Sequence, residues 1–141
     1  MLRVYYSANI VPQGLGSGNF SIDLWNNAKA LRRQAHYILE HFGEKLTLYS
    51  PYMEDMFVRM WETEIVSSGE ISQFNEGILD MCDILLVSTD PDSSGEVKND
   101  IDNAIAFGIT VVYLYQHQNL EDKLSELRDV IDKMDVKKSE D

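Results

Sequence analysis

The stretch TDPDSSGEVKNDIDNA, residues 89–104, follows directly on the apolar run DILLVS. It carries five carboxylates, two serines and a glycine. A carboxylate held at fixed depth can serve as a nucleophile or as a general acid or base. With residues 97–107 helical, Val97, Ile101, Ala104, Ile105 and Gly108 form an inward stripe. Asp100 lies beside that stripe, whereas Glu96, Asn99 and Asp102 point more toward water. Asp100 is therefore the acid of the opening turns expected to face inward. Helix amide dipoles would stabilise its charge by roughly 0.3–1 kcal/mol, keeping it ionised and available as a nucleophile. The plainer alternative is an acid that caps or decorates the first turn.

Ser93, Ser94 and Gly95 precede the same helix, where partial positive charge collects, and form a natural cradle for an anion. Serine and glycine also fill ordinary loops. Asp92 either hydrogen-bonds a sugar hydroxyl or closes an Asx-turn after Pro91. On the stretch VYYSA, Tyr5 and Ser7 share one face and Tyr6 takes the other. Tyr5 either reaches a ligand or packs in the core, and Ser7 is placed to touch a phosphate or hydroxyl. GLGSG, residues 14–18, has neither the spacing of a dinucleotide fingerprint nor the lysine of a Walker loop, and reads as a lid or turn. His36, His41 and His117 lack metal-ligand spacing with a carboxylate, so no metal and no cofactor are expected. No G-x-S-x-G turn supports a serine triad.

The elements that must position these residues alternate. Strands are expected at 2–7, 45–50, 83–88 and 109–115. A helix runs from Ser21 with apolar residues at Leu24, Ala28, Leu31, Ala35, Ile38 and Phe42, closed by Gly43. Residues 53–65 are helical but irregular, and Ser67 with Glu70 forms a capping box for a helix to about Met81. A last helix covers 119–134. Continuous apolar strands suit a parallel sheet covered on both faces. The expected fold is α/β, a doubly wound, flavodoxin- or Rossmann-like three-layer sandwich with a four- to five-stranded parallel sheet. In such sheets ligands bind beyond the carboxyl ends of the first and third strands, here the loops 8–21 and 89–97.

The 141 residues fit one domain, 1–135, followed by a polar tail at 136–141. Net charge is −12, from 24 acids against 12 bases, which argues against nucleic acid as partner. No apolar run suits a membrane span or a signal peptide. One cysteine, Cys82, excludes a disulfide framework within the chain and points to the cytoplasm.

VYYSA together with NEGILDMCDILLVSTDPDSSGEVKNDIDNAIAFGITVVYLY, and a long helix between them, resembles the nucleoside 2-deoxyribosyltransferase-like family. The similarity covers roughly residues 3–115 and leans toward members that hydrolyse 2′-deoxynucleoside 5′-phosphates. It implies cleavage or transfer at the N-glycosidic bond of a nucleoside or nucleotide, through a carboxylate that forms a glycosyl-enzyme. On that likeness Asp100 matches the nucleophile and Tyr5 the tyrosine that positions it. Ser93, Ser94 and Gly95 match the phosphate loop, preceded by Asp92. Departures from the family pattern fall at the nucleophile and the longer loop before it, in the preceding helix and after the first strand. The nucleophile is aspartate instead of glutamate, an acid of the preceding helix is replaced by Asn75, and Ala8, Asn9 and Ile10 stand where a glycine turn follows the strand. Asp92 or Glu96 would protonate the leaving base. The expected catalytic set is Asp100, Tyr5 and Asp92, with Ser7, Asn9, Ser93, Ser94, Gly95 and Asn75 binding substrate. A homodimer or larger homo-oligomer is implied. The alternative is a nucleotide-binding or sensing module that does not turn its ligand over.

Overall fold

A computed structural model describes residues 1–12, 18–63 and 68–140. Gly14 to Ser17 of the glycine-rich loop and Ser67 of the expected capping box lie outside the described residues. The architecture is α/β and Rossmann-like, built on a four-stranded parallel sheet.

The strands are β1 (Leu2–Ser7), β2 (Leu46–Tyr49), β3 (Ile84–Val87) and β4 (Thr110–Tyr113), in the order β2-β1-β3-β4. β3 is ILLV and is buried throughout, as a central parallel strand must be. β1 is buried except at Met1's neighbour but one, Arg3. Edge strands β2 and β4 keep residues partly exposed. The register aligns Tyr5 with Tyr49 on one side and Leu85 on the other, and Ser7 with Val87. β1 pairs with β2 on one side and with β3 on the other, so β1 and β3 are the two central strands.

Five α-helices lie among the described residues: α1 (Phe20–Phe42), α2 (Asp55–Thr63), α3 (Ser68–Leu79), α4 (Gly95–Phe107) and α5 (Leu120–Glu140). α1 buries Leu24, Ala28, Leu31, Ala35, Ile38 and Phe42, the stripe expected from their spacing. Its cap is Asn19, whose side chain accepts from the Ile22 amide. α5 stays helical to Glu140, through the segment expected as a polar tail. Val4 and Tyr6 of β1 pack with Leu24 and Leu31 of α1 and Leu127 of α5. Tyr5 packs with Leu79 of α3 and Val97 and Ala104 of α4. No helix among the described residues is long and apolar enough to cross a membrane.

α4 begins at Gly95, two residues before the expected start. Ser94 caps it, its hydroxyl accepting from the Val97 amide at 3.3 Å. At the other end Gly108 adopts φ 74°, and its N–H reaches the carbonyls of Ala104 and Ile105. That left-handed geometry is open to glycine without a Cβ clash. The earlier start brings Glu96 inside the helix, one turn before Asp100.

Candidate active site

Strand alternation sends Tyr5 and Ser7 to the α4 side of the sheet. The Ser7 hydroxyl donates to Oδ2 of Asp100 at 2.7 Å. Asp100 is only 7% exposed and Ser7 2%. Burial pushes the Asp100 carboxyl up to about 7, the Ser7 bond opposes this, and the charge of Glu96 adds to it. The expectation of an aspartate kept ionised by the helix dipole is thus corrected. Burial outweighs the dipole, which is weak by the second helical turn.

Glu96 is a second correction, because it does not point to water. The Tyr52 hydroxyl lies 2.6 Å from each of its carboxylate oxygens. Burial raises the Glu96 carboxyl and the Tyr52 bond partly offsets this. Tyr52 sits in a single 3-10 turn, Pro51–Met53, immediately after β2, and is buried. The Arg32 Nε holds this turn by donating to the Tyr52 carbonyl at 2.9 Å. Two carboxylates one helical turn apart thus share a partly dehydrated environment.

The Tyr5 hydroxyl is buried and has no hydrogen-bond partner among the described residues. Its phenol is raised well above its ordinary value, first by burial and then by the charges of Asp100 and Glu96. The expected orienting bond to Asp100 comes from Ser7 rather than Tyr5. The Tyr5 ring lies 5.4 Å from that of Tyr49, whose hydroxyl donates to Asn75 Oδ1 at 3.3 Å. Asn75 is 2% exposed, and neither its Nδ2 nor the Ser50 Oγ at the end of β2 has a partner among the described residues. A buried polar group without a partner costs free energy on the order of 1–3 kcal/mol, and of these three atoms the Tyr5 hydroxyl is the one that feels the charges of Asp100 and Glu96.

Other expected residues lie elsewhere. Asp92 is exposed, with its carboxylate 3.6 Å from Lys98 Nζ. The Asx-turn here belongs to Asp90, whose side chain accepts from the Asp92 amide at 2.9 Å. Ser94 is buried with its hydroxyl used by the helix cap, and Gly95 is the exposed first residue of α4. Ser93 follows Asp92 in the turn Pro91–Ser93, and its side chain lies outside the described set. Asn9 lines a separate cleft with Tyr6, on the α1 side. Its side chain is engaged locally, accepting from the Val11 amide at 3.0 Å and donating to the Val11 carbonyl at 3.2 Å.

Tyr5, Ser7 and Asp100 are therefore brought together, while Asp92 and Asn9 stand apart from them. Tyr52 joins the cluster unanticipated, through Glu96. The four-residue spacing of Glu96 and Asp100 was a readable signal, once the cap is placed at Ser94. Compared with family models, with curated proteins and with solved structures, the chain finds no match.

Proposed function

We propose that the protein cleaves, or transfers across, the N-glycosidic bond of a deoxynucleoside or nucleoside monophosphate, with Asp100 as nucleophile and Glu96 as acid and base. The observation that carries this reading is the buried pair itself: Asp100 bonded to Ser7, with Glu96 one turn away under Tyr52. The two carboxyls are both raised and electrostatically linked, so they titrate as a pair. The productive form carries one proton, on Glu96.

In that form the Asp100 oxygen not bonded to Ser7 attacks the anomeric carbon. The C–N bond breaks, its electron pair leaves with the base, and Glu96 protonates the base. Water then attacks the same carbon and gives its proton to Glu96. The bond to Asp100 breaks, and the sugar leaves with retained configuration. A second base in place of water gives transfer. On this reading the Tyr5 hydroxyl and the Asn75 Nδ2, both without a partner among the described residues, bind sugar oxygens.

A doubly wound three-layer fold goes with this reading, supported by one core cluster joining the sheet to α1 and α5 and another joining it to α3 and α4. A cytoplasmic setting is supported by the single free Cys82, and a homodimer by exposed Phe74, Met81, Ile105 and Phe107 on or beside neighbouring α3 and α4. The test is incubation with deoxynucleosides and their 5′-monophosphates, followed by chromatography for free base. Base release that Asp100→Ala abolishes is expected. Release that persists in this variant, or no release from any substrate, rejects the reading.

A further inference from the structure

The central strands β1 and β3 present two faces, and the acidic pair lies on one of them. On the other, between the loops after β1 and β3 and the face of α1, lies a cleft of about 330 Å³. That is room for about ten water molecules, the low end of small-ligand sites.

Its polar lining is Tyr6, Asn9, Asn27, Gln34, Ser88 and Thr89, all uncharged. Among the described residues the lining holds neither a cation nor a carboxylate to compensate a charged ligand. Two of these groups are fixed in complementary roles. The Gln34 Oε1 accepts from the Tyr6 and Ser88 hydroxyls, whose oxygens lie 2.7 Å from each other. These two bonds use the acceptor end of the amide and leave Gln34 Nε2 as a donor with no partner among the described residues. The Asn27 Nδ2 donates to the Ile10 carbonyl at 2.9 Å, which leaves its Oδ1 as an acceptor without a partner among the described residues. Asn27 and Gln34 are seven residues apart on α1, two turns along one helix face, about 10 Å. That suits a fused-ring heterocycle with a hydrogen bond at each end. Ala30 and Leu31 lie between them, and Ala8 and Val11 face them from the loop, so the middle of the cleft is apolar.

We infer that this cleft is a second ligand site, separate from Asp100, that takes an uncharged, flat nitrogen heterocycle bearing one acceptor for Gln34 and one donor for Asn27. Donors and acceptors fixed in this way discriminate by pairing, since a ligand lacking the complement leaves the amides unpaired.

Adenine is a suitable probe, titrated calorimetrically into the full chain carrying Asp100→Asn, with ribose as the polar but non-planar contrast. Saturable adenine binding is expected, weakened at least tenfold by Gln34→Glu, which keeps the acceptor for Tyr6 and Ser88 but removes the donor. Asn27→Leu should weaken it similarly, and provides the test if Gln34→Glu melts early. Ribose should not bind. No saturable adenine binding, adenine binding unchanged by both substitutions, or equal affinity for ribose would overturn the inference.

Discussion

At the scale of single residues, the proposed chemistry rests on what burial does to Asp100. Its ordinary value is 3.8 and in the fold it stands at about 7. The folded state therefore binds this proton more tightly than the unfolded chain. The stability that protonation contributes is full below about pH 4 and is lost as pH rises through about 7. Asp100→Asn removes this dependence. Thermal melts should show the variant level with wild type near pH 4 and about 2–4 kcal/mol more stable at pH 8. Equal stability at both pH values would mean that the carboxyl is not dehydrated as described. Glu96→Gln removes the proposed acid and leaves the proposed nucleophile. Base release should fall by about 10²–10⁴-fold and lose its alkaline limb, while N7-methylated purine deoxynucleosides, whose base leaves without a proton, should lose far less. Equal losses on both substrates would deny Glu96 its role. Asp100 was legible in the sequence because its inward face follows from Val97, Ile101 and Ala104 around it, whereas Ile105, expected on the same stripe, is exposed. Its raised carboxyl was not, since that depends on β1 closing over it from 93 residues away in the chain.

At the scale of elements, α4 carries the pair, and its first turn decides where the pair sits. Ser94→Ala removes the hydroxyl that caps Val97. The expected cost is ~1 kcal/mol in denaturant melts. Because Glu96 lies two residues past that cap, base release should fall by more than this loss of stability explains. A variant with full activity and unchanged stability would contradict the described start of α4. The spacing on α1 revealed its stripe and its Gly43 stop, because a helix with one buried face writes its period into the chain. The start of α4 was two residues out, because Ser93, Ser94 and Gly95 are all plausible loop residues and the cap is chosen by geometry. The turn Pro51–Met53 was read only as the end of a strand, so Tyr52 was missed.

At the scale of the whole molecule, the sheet order brings β1, β2 and the start of α4 to one end. The alternation of strands and helices was enough to anticipate a parallel sheet, since buried strands of this kind need helical crossovers. The pairing of Tyr52 with Glu96, 44 residues apart, was not legible, because only the sheet brings these segments together. The same limit applied to Asn9, expected to bind substrate with Ser7 and found lining the cleft on the α1 side. The exposed apolar residues of α3 and α4 make a prediction at this scale. Light scattering after size exclusion should give a dimer, and Ile105→Lys, 64% exposed in the single chain, should convert it to a monomer. A monomeric wild-type chain at micromolar concentration would remove the proposed dimer without touching the acidic pair.

Asp100 as nucleophile is tested most directly by trapping. The protein is incubated with a 2′-fluorinated deoxynucleoside, which slows release of the sugar more than its capture, and is then digested for mass spectrometry. A sugar mass attached to Asp100 is the predicted result. A sugar on Glu96 or any other residue, or base released with no adduct at all, would contradict it.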